Sequence, residues 1–303
     1  EGRDRLARRA LPERRVIYGL VAALGWGLSD LWAAISGRRI GSGRTVVVAQ
    51  VTAAILVSLL VLVVRPDLSG IPTVAPWLVP NAFLGAAAFA TLYKGLQLGP
   101  IAVVSPVLAS YAVVPVLLSV VLLGETLGGV ELAGVVVTIA GAALTSTDPK
   151  ALRAGTRSKP AGLSWAIAST LLFGVATYVT GWAAKEAGFL PSLWFGRLTM
   201  TSVFLVAALV LWLRSRAAGR ARDHVPWSML RLAVMVGVVE LVGTISYARG
   251  AEVGLVSIVT AASATYPLIP VLGGVVLLHE RPVPTQYLGI AMVIGGLVLL
   301  GVA

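Results

Sequence analysis

The stretch GLVSIVTAASATYPLIPVLGGVVLLHERPVPTQYLGIAMVIGG, residues 254–296, occurs twice in this chain. Shifted back by 155 residues, it falls without a gap on residues 99–141. The two copies agree at positions that a shared apolar composition would not align, in the pairs Tyr111/Tyr266, Pro115/Pro270, Glu125/Glu280, Gly134/Gly289 and Gly141/Gly296. The chain is therefore two copies of one module, and its function depends on how the copies face each other.

The composition is that of a chain whose main solvent is lipid. Of 303 residues, 57% are hydrophobic and 12% are charged, and the mean hydropathy is +0.91. These values predict a multi-pass membrane protein. The net charge of +11 lies in short basic clusters between apolar runs, so we expect it to meet lipid headgroups rather than nucleic acid.

Ten apolar runs of about 18 to 25 residues are each long enough to cross about 30 Å of hydrocarbon as a helix. The predicted fold is an all-α polytopic membrane protein, since helices satisfy every backbone polar group in lipid. The predicted organisation is a basic tail (1–15), a five-helix repeat (16–146), a linker (147–160) and a second five-helix repeat (161–303). Spans 1 to 10 cover residues 16–36, 46–64, 74–93, 101–123, 128–146, 161–183, 192–213, 226–248, 254–278 and 283–302.

The repeat extends beyond its best-matched stretch. Trp26-Gly27 match Phe173-Gly174 at a spacing of 147 residues, and Lys94-Gly95 match Arg249-Gly250 at a spacing of 155. Because each repeat has five spans, an odd number, the second copy enters the membrane in the opposite sense. Inverted repeats of this kind are typical of secondary transporters, which exchange the shapes of their two halves.

Several short motifs carry a resemblance to a known family. They are Trp26-Gly27 in span 1, Arg197 early in span 7, the Tyr111/Pro115 and Tyr266/Pro270 pairs, and the span ends Gly124-Glu125 and His279-Glu280. The set resembles the EamA-type drug/metabolite transporters over both halves. That resemblance implies a carrier, often an exporter, for a small organic solute such as an amino acid, an amine or a related metabolite. It also implies a central cavity between the halves, a bacterial inner membrane location, and a homodimer surface on spans 5 and 10.

Prolines interrupt one span at the same place in each half. Span 4 contains Pro106 and Pro115, and span 9 contains Pro267 and Pro270. A proline leaves the carbonyl four residues earlier without its helical partner, so nearby hydroxyls either line a wet cavity or repair the kink. The residues predicted to line a solute cavity are polar or aromatic: Trp26, Asp30, Ser105, Tyr111, Tyr178, Tyr247, Thr260, Ser263 and Tyr266.

Charged residues inside spans are costly in lipid, and they mark functional positions. Asp30 lies about 14 residues into span 1, and Glu240 about 14 residues into span 8, which enters from the other side. We expect the two carboxylates to lie about 12 Å apart in depth and not to pair. Asp30 either contacts an amine-bearing solute beside Trp26 or pairs with Lys94.

Arg197, about five residues into span 7, matches the depth expected for Glu240, so an ion pair is geometrically open. Three interpretations of Glu240 remain: a fixed structural pair with Arg197, a proton carrier for coupled transport, or a contact for a cationic solute. The first repeat has Gln50 at the position equivalent to Arg197, so any role of this arginine is present in the second repeat only.

Two further features favour a structural role. Glu125 and Glu280 end spans 4 and 9, and we expect them to cap the next helix or bridge a neighbouring loop. The glycines of spans 5 and 10 make smooth faces for close packing between halves or between protomers.

An enzyme and a channel are the rival functions. The chain has no cysteine and two histidines, and it lacks HExxH, GxSxG and GxxxxGK[ST] motifs. The sequence therefore predicts no catalytic residue, no metal site and no cofactor. A channel would need one continuous polar lining, whereas the polar residues cluster near two interrupted spans.

Overall fold

The computed structural model of this chain is a bundle of helices, and it describes residues 2–98, 107, 110–145, 163–217, 226–266, 268–269 and 283–302. Every described element is helical, as the composition predicts. In chain order the helices are α1 (Gly2–Ile40), α2 (Ser42–Val64), α3 (Ile71–Leu98), a 3₁₀ turn (Ser110–Ala112), α4 (Val113–Leu122), α5 (Gly129–Thr145), α6 (Leu163–Ala187), α7 (Phe189–Ala217), α8 (Trp227–Val253), α9 (Val256–Ser263) and α10 (Pro284–Val302).

Six of these helices are long and apolar enough to cross a membrane: α1, α2, α3, α6, α7 and α8. The 3₁₀ turn with α4, α5 and α10 are shorter apolar helices, and α9 has eight described residues. Helix α1 begins at Gly2, so the stretch predicted as a basic tail is already helical. Ser105, Pro106, Pro267, Pro270 and Glu280 lie outside the described residues.

Equivalent glycines make the same tight turn in both halves. Gly41 joins α1 to α2 at a φ of 88°, and Gly188 joins α6 to α7 at a φ of 83°. The two residues lie 147 positions apart, in the register of the repeat. A residue with a side chain is strained at such a φ, so each half uses glycine to reverse direction.

The two halves pack against each other through pairs of equivalent contacts. A contact from the first half to the second is repeated from the second half to the first. At Gly27 of α1, an added Cβ would lie 2.8 Å from the carbonyl oxygen of Tyr266. At Gly174 of α6, it would lie 3.0 Å from the carbonyl oxygen of Tyr111. Because Gly27 and Gly174 are repeat equivalents, as are Tyr111 and Tyr266, each half inserts its first helix against the interrupted span of the other. Such an exchange is what an approximate two-fold relation produces.

Helices α5 and α10 repeat this pattern. Gly141 faces the carbonyl oxygen of Gly289, and its repeat equivalent Gly296 faces that of Gly134, so that an added Cβ would lie 2.9 Å from the oxygen in each case. The glycine faces therefore pack against each other within one chain, between its halves. Without side chains at these positions the two backbones can approach closely, as glycine-rich helices do in membranes.

Spans 4 and 9 contain 3₁₀ bonding near the two tyrosines. Helix α4 is preceded by the 3₁₀ turn that contains Tyr111. Helix α9 ends at Ser263, and the backbone amides of Thr265, Tyr266 and Ile269 then bond three residues back. A switch from α-helical to 3₁₀ bonding inside a span is a common device at functional positions.

Glu125 connects the halves rather than capping the helix that follows it. Its carboxylate accepts hydrogen bonds from the backbone amides of Val256 and Ser257 at 2.8 and 3.1 Å, and from Lys185 Nζ at 3.0 Å. Of the two expectations for Glu125, a cap on the next helix or a bridge to a neighbouring loop, the cap on the next helix is not made: the carboxylate bridges to the N-terminus of α9 in the other half. Glu131 instead bonds the Gly128 amide at the start of α5, at 2.8 Å.

Candidate functional site

A cavity of about 310 Å³ lies between the halves. The first half supplies residues from α1, α2, α3 and the 3₁₀ turn, and the second half supplies residues from α6, α7, α8 and the segment after α9. The lining residues that carry the argument below are Trp26, Asp30, Gln50, Arg197, Glu240 and Thr244. A cavity with walls from two repeats can change shape when the repeats move.

Arg197 and Glu240 form the ion pair considered from the sequence. Arg197 Nη2 donates to Glu240 Oε1 at 2.9 Å, and the exposed fractions of the two side chains are 5% and 27%. Arg197 Nη1 donates to Gln50 Oε1 at 2.7 Å. The guanidinium is therefore held between a carboxylate of α8 and an amide of α2, and its charge is compensated.

Gln50 and Arg197 are repeat equivalents that touch each other. They are separated by 147 residues, which is the repeat spacing in this part of the chain. Tyr111 and Tyr266, at the other repeat spacing, also meet, with ring centroids 6.1 Å apart. Equivalent residues can contact one another only near the axis that relates the halves. The cavity, which all four residues line, therefore lies where equivalent residues of the two halves meet.

Trp26 is fixed by the same network. Its Nε1 donates to Thr244 Oγ1 at 3.2 Å, and Thr244 Oγ1 lies 2.8 Å from Glu240 Oε1 and 3.0 Å from the Glu240 carbonyl oxygen. The indole ring also packs against Tyr247, with centroids 5.5 Å apart. A chain of polar contacts thus connects Gln50, Arg197, Glu240, Thr244 and Trp26, and it orients one aromatic wall of the cavity.

Asp30 differs from Glu240 in that its carboxylate has no bonded partner. Its side chain is exposed, and it lines the cavity one turn after Trp26. Within the described residues it makes no hydrogen bond and no ion pair, and Lys94, the alternative partner, is exposed without contacting it. No hydrogen bond connects Asp30 to Glu240 either, although both side chains line the same cavity.

Four predicted lining residues lie elsewhere. Tyr247, Thr260 and Ser263 are buried behind the wall, with exposed fractions of 1%, 0% and 0%. Tyr247 Oη bonds Thr260 Oγ1 at 3.0 Å, and Ser263 Oγ lies 3.4 Å from Tyr111 Oη, so these hydroxyls satisfy one another between helices. Tyr178 is half-buried on α6 outside the cavity, and Pro115 is buried in α4.

Sequence reasoning missed several lining residues. Phe173, Thr177 and Gln50 occupy the repeat positions of Trp26, Asp30 and Arg197, so the internal alignment could have found them. Asn81 is a polar side chain in an apolar span, and it donates from Nδ2 to the carbonyl oxygen of Ala176 at 3.3 Å. The apolar members, such as Phe89 and Met200, carry no signal that separates them from ordinary lipid-facing or core residues.

The described lining residues have the composition of a small-molecule binding site. No group of three or more His, Asp or Glu side chains that could hold a metal ion occurs in the described ranges. The walls combine one ion pair, one unpaired carboxylate and aromatic rings, which is a typical composition for a small-molecule site.

Comparisons with known proteins bear on the fold and on the family of this chain. No curated protein sequence matches the chain. A solved structure, described only as the crystal structure of a protein, superposes with a TM-score of 0.73. The superposition covers 94% of this chain and 95% of the other, and at 18% identity it shows a shared fold alone.

The model of one family matches the sequence twice, over residues 14–147 and 160–302. The two matches cover nearly the whole chain and correspond to the two repeats, and each contains helices that are apolar enough for a membrane. The resemblance inferred from the motifs is thereby confirmed. The chain is an integral multi-pass membrane protein and belongs to the EamA-like transporter family.

Proposed function

We propose that this protein is a secondary active transporter that exports a small organic solute, such as an amino acid, an amine or a related metabolite, across a bacterial plasma membrane. The observation that carries the proposal is the cavity where equivalent residues of the two halves meet, with walls from both repeats. Membership of a transporter family supports the same class of function. Export and the bacterial membrane follow from the family resemblance of the sequence.

The mechanism we propose is alternating access by two inverted repeats with ten membrane spans. The reciprocal contacts of Gly27 and Gly174 support a two-fold relation, and five spans per repeat would then insert the halves in opposite senses. If the two repeats exchanged conformations, the cavity would open first to one side of the membrane and then to the other. Glu125, which connects Lys185 and α9 to the first half, would be one of the contacts between halves that this exchange has to break and remake.

Counterflow in proteoliposomes tests the carrier. Labelled phenethylamine or phenylalanine is offered outside, with the same unlabelled compound inside. A carrier is expected to give saturable uptake that the internal compound accelerates, because the returning cavity is loaded. Flux that is linear in concentration and indifferent to the internal compound would show a channel instead. Chemical conversion of the probe would show an enzyme.

Single cysteines test alternating access, since the native chain has none. Thr180 and Leu92 both line the cavity. Thr180 lies near the end of α6 that leads into the α6–α7 turn. Leu92 lies near the C-terminal end of α3, at the opposite end of the cavity. With Thr180→Cys and Leu92→Cys, added solute is expected to change labelling by a membrane-impermeant maleimide in opposite directions. Parallel changes at both positions would contradict the mechanism.

Proton coupling is part of the proposal, because the cavity contains two carboxylates. Since Arg197 holds Glu240, we expect the pair to be structural, and the Glu240→Gln protein that folds should retain uptake driven by a pH gradient. Loss of driven uptake with retained one-for-one exchange would instead assign the coupling proton to Glu240. The yield of folded protein in detergent separates these outcomes from simple misfolding.

A further inference from the structure

We infer that the solute carries a single positive charge on an apolar or aromatic body and has no carboxylate, and that Asp30 is the group that meets its cationic end. This inference rests on the proposed transport function and names the class of solute. It follows from the balance of charges in the cavity, the freedom of Asp30, the aromatic walls and the engagement of Arg197.

The charges that line the cavity do not cancel. Among the described residues the lining contains three charged side chains, namely Asp30, Arg197 and Glu240. Arg197 and Glu240 compensate each other across 2.9 Å. One negative charge remains, on Asp30. A carboxylate kept in the middle of a membrane helix without a counter-charge is costly, and a cationic ligand would supply that counter-charge.

Asp30 is placed to receive such a ligand. Its neighbour Ser29 is 5% exposed, and Ser29 Oγ bonds the Trp26 carbonyl at 2.8 Å, whereas the Asp30 side chain is open to the cavity. Every oxygen of its carboxylate is free within the described part of the chain. An ammonium group could therefore form charge-assisted hydrogen bonds here without displacing an existing partner.

Aromatic rings provide a complementary surface. Trp26 lies one turn from Asp30, and its orientation is fixed by Thr244 and Tyr247. Phe89 and Phe173 meet edge to face at 5.0 Å, and Tyr111 and Tyr266 close another part of the wall. Rings bind the apolar body of a solute by dispersion and attract a cation through the negative charge of their faces.

A solute carboxylate would find no free cation among the described residues that line this cavity. Arg197 is the basic residue among its lining groups, and its two terminal nitrogens already donate to Gln50 and Glu240. The guanidinium side chain is 5% exposed. An amino acid would have to place its carboxylate near Asp30, or break the Arg197 network. The cavity therefore discriminates against zwitterions and anions by like-charge repulsion and desolvation.

Three probes with one aromatic body test the inference: phenethylamine (a cation), phenylalanine (a zwitterion) and 3-phenylpropionate (an anion). Binding to the purified full chain in detergent is measured by calorimetry and by thermal shift. Phenethylamine is expected to bind at least about tenfold more tightly than the other two. Equal binding of the three probes, tighter binding of phenylalanine, or no binding of phenethylamine would overturn the inference.

Asp30→Asn removes the charge with little change in shape, and it is expected to weaken phenethylamine binding at least about tenfold. Glu186→Gln is the matched control, because Glu186 is an exposed carboxylate of α6 outside the cavity. It should bind as the native chain does. If Asp30→Asn folds poorly, Asp30→Glu keeps the charge and should keep the preference for the cation. Unchanged binding in a folded Asp30→Asn protein would refute the role of Asp30.

The same measurements separate this inference from the transport proposal. Selective binding of phenethylamine without counterflow would leave the cation site standing and overturn the carrier. Saturable counterflow of phenylalanine at least as fast as that of phenethylamine would support the carrier and overturn the cation site.

Discussion

The first half of the chain has Gln50 at a position of the cavity where the second half has Arg197. The same register sets Asp30 against Thr177, and the spacing of 155 residues sets Glu240 against Gly85. Each charged residue described in the cavity wall thus aligns with an uncharged residue in the other half. Three glycine positions at crossings between the halves, by contrast, keep glycine in both copies: Gly27/Gly174, Gly134/Gly289 and Gly141/Gly296.

This difference separates two requirements. Glycines at the crossings allow the helices of both halves to pack in the same way. Two repeats that exchange conformations during transport require such similar packing. Arg197 occurs once at a position where it touches its own repeat equivalent, Gln50, so that a second copy would meet the first. Two arginines at positions 50 and 197 would place like charges in direct contact, which is strongly unfavourable in a site with little water.

Glutamine occupies the position in the first half that is equivalent to Arg197. Replacing Arg197 by glutamine removes the charge difference between the two halves, and we expect it to have the largest effect. Arg197→Gln leaves Glu240 without its ion partner, and loss of one member of a buried pair costs about 3 to 5 kcal/mol. The double variant Arg197→Gln with Glu240→Gln should recover most of the loss. Chemical unfolding in mixed micelles measures both changes.

The pair between Arg249 and Glu252 is the control for this experiment, because its arginine is exposed: the exposed fractions of the two side chains are 44% and 23%. When Arg249 is replaced, Glu252 keeps the hydrogen bond that it accepts from the Phe189 amide at 3.2 Å. Arg249→Gln is expected to cost about 0.5 kcal/mol, as exposed pairs three residues apart do. Equal losses at Arg197 and Arg249 would show that the cavity pair is not structurally important.

Adding a methyl group at a crossing tests the shared frame. At Gly296 the new Cβ would lie 2.3 Å from Thr138 Oγ1 and 2.7 Å from the Thr138 amide nitrogen, so α5 and α10 would have to separate. Gly296→Ala is expected to destabilise by about 1 to 3 kcal/mol. Gly141→Ala, which makes the equivalent contact from the other half, should cost a similar amount.

Gly295 provides a control one residue away. A Cβ at Gly295 would meet nothing within 4 Å, and alanine is the better helix former. Gly295→Ala should therefore be neutral or slightly stabilising in the same thermal unfolding measurement. Equal destabilisation at Gly295 and Gly296 would mean that helix propensity or lipid contact, rather than the crossing, sets the effect.

Glu125 tests a contact that runs between the halves. Glu125→Gln keeps one acceptor for the α9 amides but removes the charge that holds Lys185, so we expect a loss of about 1.5 kcal/mol. Glu131→Gln removes a carboxylate whose bond to Gly128 stays within the first half and is exposed. Its effect on the unfolding midpoint should be several times smaller, and a larger effect at Glu131 would contradict the tie between halves.

The sequence was sufficient for features that depend on spacing. Repeat spacing and residue type predicted an all-helical membrane protein of two modules and the resemblance that the family match confirms. Counting residues along spans placed Arg197 at the depth of Glu240, and their ion pair is present. Depth is readable because a helix rises by a constant 1.5 Å per residue.

The sequence was insufficient where the direction of a side chain decided its surroundings. Tyr247 lies seven residues after Glu240 on nearly the same helix face, yet it is buried against Thr260 while Glu240 lines the cavity. Glu125 meets a helix start 131 residues away, because the halves interlock. Neither outcome follows from spacing, since each depends on how the neighbouring helices cross.

The smallest effect is expected where the halves do not meet. Asp67, in the exposed turn between α2 and α3, accepts hydrogen bonds from the Ser69 amide at 2.9 Å and the Ser69 hydroxyl at 2.8 Å. These bonds favour the charged form, the backbone bond more strongly, and they hold the pKa of Asp67 below its ordinary value of 3.8. Because the pKa is lower in the folded chain, the stabilisation is complete above about pH 4 and disappears as the pH falls through the folded value.

Asp67→Asn should therefore match the native chain in its unfolding temperature at low pH and fall slightly below it at pH 6, because the amide retains an acceptor for Ser69 but not the charge. Solvent screens an exposed charge of this kind, so the difference should be smaller than any produced at Arg197, Gly296 or Glu125. A larger effect at Asp67 than at Glu125 would mean that the turn, and not the contact between halves, limits the stability of the fold.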